Sequence, residues 1–148
     1  MAAVQDSLES TVVELSEDAL GAFADDISTM FEVDLECKQL ESGVRTLKEI
    51  RKSFKKVAAV HVVKAEGALD GEFAVAFDQG GLFILAGVIV MLPAKRITED
   101  AKRGSLDEAK GMADAVGEVG NLLVGSWDRV FREDLEDHKH FSKTNTYI

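Results

Sequence analysis

The stretch from Val57 to Asp78 limits the fold more than any other part of the chain. "VAAVHVVK" (57–64) and "EFAVAFD" (72–78) carry apolar side chains at the two-residue period of a half-buried strand. Between them "EGALDG" supplies the glycines and aspartate of a turn, so the two segments are expected to form an antiparallel hairpin. Gly80-Gly81 then releases the chain into its longest apolar run, "LFILAGVIVMLP", Leu82 to Pro93. That run is about half the length needed to span a bilayer, so it reads as a buried helix ending at Pro93.

The remaining segments follow from the same periodicities. Ser16 to about Phe31 reads as a helix capped by Ser16, with Leu20, Phe23, Ile27 and Met30/Phe31 at helical spacing. Glu32 to Gln39 alternates as a strand would. Residues 43–56 hold six of the 17 basic residues and read either as a short helix or as a loop with strand edges. "AKRITEDAKRGS" is expected to be a charged surface connection. Ser105 and Glu108 have capping-box spacing and open a last long helix running to about Arg132. Beyond it Asp137, His138 and His140 are of metal-ligating type, but the polar run is expected to be a flexible charged tail. Strands and helices do not alternate regularly, which argues against a doubly wound parallel sheet. The expected fold class is α+β, an antiparallel sheet with long helices packed on it.

Composition narrows the function. A chain of 148 residues, 46% hydrophobic, suits one core, so a single domain spanning 1–148 is expected. A net charge of −10 argues against nucleic acid as a partner, because phosphate binding needs a basic footprint. The lone Cys37 can form no internal disulfide and reads as a small half-buried strand residue. His61, inside the first hairpin strand, reads as structural. The N-terminal "MAAVQDSLEST" has neither the basic region nor the apolar core of a signal peptide, so a cytoplasmic protein without membrane contact is expected. The sequence carries no phosphate-binding loop, no zinc-ligand spacing and no convincing nucleophile beside a base.

The stretch "DAVGEVGN", residues 114 to 121, is where chemistry gathers. On a wheel turning about 100° per residue, Asp114, Glu118, Asn121, Gly125, Asp128 and Arg132 fall within an arc of roughly 80°. Val116, Val119, Leu122, Leu123 and Val130 lie on other faces and should pack inward, leaving Glu118, Asn121 and Gly125 accessible. A merely solvated face would favour strong helix formers. This helix instead contains Gly111, Gly117, Gly120 and Gly125, each costing about 1 kcal/mol relative to alanine. Such a cost makes sense where another surface, internal or foreign, approaches the backbone.

Asp114, Glu118 and Asn121 fit the (D/S)xxxExxN signature of the CheC/CheX/FliY family of chemotaxis phosphatases. The "LLVGS" that follows and the upstream "GEFAVAFD" arm leading into an apolar helix are also similar to that family. The resemblance covers roughly residues 18 to 130, and with one signature helix the chain looks most like CheX. It implies hydrolysis of the aspartyl phosphate on a CheY-type response regulator. Glu118 would grip the regulator's active-site lysine, Asn121 would hold a water in line with phosphorus, and Asp114 and Gly125 would support them. Magnesium would come with the regulator, leaving this chain no metal of its own. The resemblance further implies a homodimer. In the first helix Asp18, Ala22 and Asp25 keep the spacing but lack the glutamate and asparagine, which fits a vestigial repeat or a coincidence, inactive on either reading. The family usually continues with further strands after the signature helix. Residues 133–148 leave room for one at most, so an abbreviated sheet or a truncated chain is expected. The alternative function is a non-catalytic module of the same fold that docks a regulator or a flagellar-switch partner.

Overall fold

The computed structural model describes residues 2–148, with side chains from Ser7 onward. Six helices and three strands follow one another as α1 (Ala2–Phe31), α2 (Leu47–Lys52), β1 (Ala59–Gly67), β2 (Gly71–Phe77), α3 (Gln79–Ile89), α4 (Ala94–Arg103), α5 (Leu106–Gly111), α6 (Ala113–Asp134) and β3 (His138–Tyr147) among the described residues. The architecture is α+β, with an antiparallel sheet in the order β2-β1-β3 and helices packed on it.

The hairpin forms as its alternation requires. Ala59, His61, Val63 and Ala65 of β1 are buried, while the residues between them are half-buried or exposed. Its registers put Val63 opposite Phe73 on β2 and opposite Lys143 on β3. Gly67 ends β1 with φ at 108°, a conformation that glycine adopts freely. A side chain there would also collide with the backbone of Asp137 and Lys139, where β3 begins.

The main core lies between α1, α6 and the sheet. Leu15, Ala19, Phe23 and Ile27 repeat every four residues along α1 and meet Val119, Leu123, Trp127 and Phe131 of α6, with Val63 and Phe141 from the sheet. A second cluster joins Leu82, Phe83 and Ala86 of α3 to Ala59, Ala109, Ala115 and Val116. Asp78 caps α3, accepting from the Gly81 amide at 2.9 Å. No described helix is long and apolar enough to cross a membrane.

Five expectations need correction. The first helix does not start at Ser16, which lies inside α1, because Val12 and Leu15 extend the same apolar stripe upstream. Glu32 to Gln39 forms no strand: Leu35 and Cys37 are half-buried as the alternation requires, but Val33 is exposed and the segment joins no sheet. Its link to α1 is the Ser28 hydroxyl, which accepts the Leu35 amide at 3.0 Å. "AKRITEDAKR" is a helix, α4, built from good helix formers, and Ile97 seats against Gly87 of α3, where a Cβ would come within 2.7 Å of Ile97 Cγ1. The last helix is two: Ser105 caps α5, accepting from the Glu108 amide at 3.1 Å, and the chain bends at Met112 before α6. The tail is strand β3, paired along β1. Residues 43–56, left open by sequence, contain α2, whose Thr46 and Glu49 form a reciprocal capping box.

Candidate functional site

The ridge sits on α6, which packs on α3 at its start and is tied by side chains to α1 and to the sheet. Towards α1, the Ser126 hydroxyl donates to Asp26 at 2.8 Å and Arg129 pairs with the same carboxylate at 3.0 Å. Towards the sheet, Gly120 faces the buried His61 ring, and Lys143 of β3 donates to the Gly117 carbonyl at 3.0 Å. What remains uncovered is the strip between. Asp114, Glu118, Asn121 and Gly125 are exposed on it, while Val116, Val119, Leu123 and Val130 are buried. Leu122, expected to be buried, is half-buried against the core at the edge nearer α1.

Two of the expected site residues touch. The Asn121 side-chain amide donates to a Glu118 carboxylate oxygen at 3.4 Å. One turn of helix therefore presents a negative charge beside a neutral group that both donates and accepts. Asp114 stands in the first turn of α6, where the helix dipole favours a carboxylate. At Gly125 a Cβ would meet nothing within 4 Å, so this chain's own packing does not require glycine there.

Asp128 departs from the expected ridge. It is buried, and its carboxylate is the hub that fastens β3 to α6. One oxygen accepts from the Phe141 amide at 2.8 Å and lies 2.8 Å from His138 Nε2. The other accepts from Arg132 at 2.8 Å and lies 3.2 Å from His140 Nδ1. Burial works to raise the Asp128 pKa, but the hydrogen bonds from His138 and Phe141 and the charges of Arg132 and His140 outweigh it. The carboxyl is held below its ordinary range. Asp137, grouped by sequence with the two histidines, has no part in this cluster and instead takes a left-handed turn with φ at 67°. Among the described residues no three His, Cys, Asp or Glu side chains are grouped to hold a metal ion.

His61 is buried as a structural histidine should be, with Nδ1 2.9 Å from the Thr146 hydroxyl of β3. Burial, aided by the charge of Lys143, lowers its pKa to about 4, so the ring is neutral. Lys143 was not singled out by sequence. Its contact depends on β3, and a lysine in a polar terminal run gives no sign of it. On α1, Asp18 and Asp25 are exposed and Ala22 is half-buried, so the helix with the incomplete signature also turns that face outward.

A hollow of about 440 Å³ lies between α1 and the hairpin, lined by residues such as Val12, Leu69, Phe73 and Trp127, and shares no residue with the ridge. Glu118 and Asn121 stand on an exposed helix face instead, a shape that suits a macromolecular partner.

By sequence the chain matches no family model and no curated protein. Its structure is similar to the X-ray crystal structure of Thermotoga maritima FliY, with a TM-score of 0.73 and 19% sequence identity. The likeness covers 93% of this chain and 66% of that one, so the chain spans a little under two thirds of FliY's length there. The chain has the α+β fold of FliY.

Proposed function

We propose that this chain belongs to the CheC/CheX/FliY family and hydrolyses the aspartyl phosphate of a CheY-type response regulator. The observation that carries the reading is the exposed pair on α6, with Asn121 and Glu118 in hydrogen-bond contact at 3.4 Å, on a fold like that of FliY. An acyl phosphate is already activated, so a phosphatase gains mainly by placing the water and the charges around phosphorus. Asn121 orients that water through its amide, which does not repel the phosphoryl oxygens as a carboxylate would. The water oxygen bonds to phosphorus and the bond from phosphorus to the aspartyl oxygen breaks. A free carboxylate and inorganic phosphate are released. Glu118 binds the regulator's active-site lysine and so fixes the register of the two proteins. Magnesium held by the regulator would supply charge neutralisation at the phosphoryl group. Asp114 and Gly125 support the pair, one at the start of the helix and the other by leaving its surface bare.

The chain acts as a homodimer on this reading, since an antiparallel sheet of three strands has open edges that pairing with a second copy would cover. Light scattering across micromolar concentrations tests this, and a monomer throughout would reject it. The function is tested by following labelled phosphate on phosphorylated CheY-type regulators. Faster loss in the presence of the protein is expected. Binding without any change in phosphate lifetime would reject the enzyme and favour a docking module of the same fold.

A further inference from the structure

We propose that Lys143 is a positioning residue that holds Asn121 in its working place through the Gly117 carbonyl; the proposal rests on the reading of Asn121 as the group that orients water. In a regular α-helix the carbonyl of residue 117 accepts the amide of residue 121, so the bond from Lys143 at 3.0 Å falls on the acceptor that seats Asn121. The turn between them is soft by composition, since Gly117 and Gly120 both lack the side chains that stiffen a helix. Two sheet residues brace it. His61 of β1 fills the space beside Gly120, and Lys143 of β3 grips Gly117.

Three details show that Lys143 is aimed and not merely nearby. β1 and β3 shift register between Val62, opposite Asn145, and Val63, opposite Lys143, leaving Thr144 as the extra residue. Such irregularities re-aim neighbouring side chains. The Thr144 hydroxyl secures this one, donating to the Val62 carbonyl at 3.3 Å. Gly117 leaves the approach open, since even a Cβ there would stand 3.7 Å from the ammonium. In a chain of net charge −10, the Lys143 ammonium pairs with no carboxylate among the described residues and bonds a backbone carbonyl. The residue is half-buried there, with its ammonium directed at the helix.

The test compares Lys143→Met, which keeps the chain length and removes the donor, with Lys143→Arg, which retains a cationic donor. Two readouts are taken, turnover of a phosphorylated CheY-type regulator and exchange of backbone amides in the protein alone. For Lys143→Met we expect kcat to fall about tenfold with KM within about twofold, as displacement of a positioned group affects the chemical step. Lys143→Arg should restore most of the loss. Exchange at the Asn121 amide should quicken in the Met variant, while amides of Phe23 and Ile27 in the α1 core keep the parent's protection. Unchanged kcat, a loss confined to KM, failure of arginine to rescue, or unchanged exchange at Asn121 would each overturn the proposal. If the parent itself leaves phosphate untouched, the phosphatase reading fails, and exchange still decides whether Lys143 holds the turn.

Discussion

The imidazole of His61 occupies the space that a side chain on Gly120 would need: a Cβ there would come within 2.9 Å of ring atom Cγ and closer still to Nδ1. Helix α6 therefore lies against β1 at the residue just before Asn121. The ring is held at Nδ1 by Thr146 at 2.9 Å and meets Phe77 edge-on with centroids 5.7 Å apart. Gly120→Ala must move the ring or lift the helix. We expect it to destabilise the fold by about 1–3 kcal/mol, the usual range for overpacking a well-filled interior. Urea unfolding measures this, and an unaltered midpoint would mean that the contact relaxes freely.

His61 also gives stability a pH dependence. Its folded pKa, about 4, lies below the 6.5 of an ordinary imidazole, chiefly through burial and then through the charge of Lys143. The unfolded chain thus takes up the proton more readily. The contribution of His61 is complete above pH about 6.5, shrinks as pH falls towards about 4, and is constant below that. Its full size is on the order of 3 kcal/mol. His61→Leu should flatten the fall in unfolding free energy across that window. Equal slopes in parent and variant would reject the assignment.

Asn121→Ala should slow regulator dephosphorylation by about 10- to 1000-fold, the range for losing one preorganised contact to the transition state. Regulator binding should survive, because the side chain meets water. Glu118→Ala should weaken both binding and rate, having lost a charged contact to the partner's lysine. Labelled phosphate release together with a binding titration separates the two variants. Equal losses of binding in both would contradict the division of labour.

Gly125→Ala should part stability from activity. The space around Gly125 is empty, so alanine is expected to raise helix stability by roughly 0.5–1 kcal/mol. If α6 docks a regulator as proposed, the same methyl group would stand on the docking surface, and turnover should fall. A variant both more stable and fully active would show that no partner comes close there.

Asp25→Ala on α1 should leave turnover within about twofold of the parent, a change worth only ~0.4 kcal/mol. Asp25 is exposed, but a carboxylate offers a phosphoryl group the wrong charge. A loss comparable to that of the Asn121 variant would move the active face to α1.

The sequence made legible those elements whose order depends on their own side chains. Strand β1 alternates cleanly, α3 is apolar from Leu82 onward, and the accessibility of Glu118, Asn121 and Gly125 follows from α6 periodicity. Its limits lie where order is supplied from outside. In β3, "HKHFSKTNTY", only Phe141 and the side chain of His138 are fully buried, so ladder bonds to β1 and the Asp128 contacts order a segment of tail-like composition. The same strand covers Asp128, which a helical wheel places at the border of the polar arc, since a wheel describes one helix without its neighbours. Leu35 and Cys37 show the converse, with genuine alternation of burial but no strand beside them to form a sheet.

The place of β3 bears on the order in which the molecule assembles. β1 and β2 are joined by a few residues, whereas the pairing of β1 with β3 unites positions as distant as Val60 and Tyr147. Closing so long a loop costs more chain entropy than closing a hairpin, which makes the second pairing the slower event. Until β3 docks, the outer edge of β1 is unpaired, Asp128 lacks the amide of Phe141, and Gly117 lacks its lysine. The helix bearing Glu118 and Asn121 can thus form from local contacts, but its final seat waits on the docking of β3.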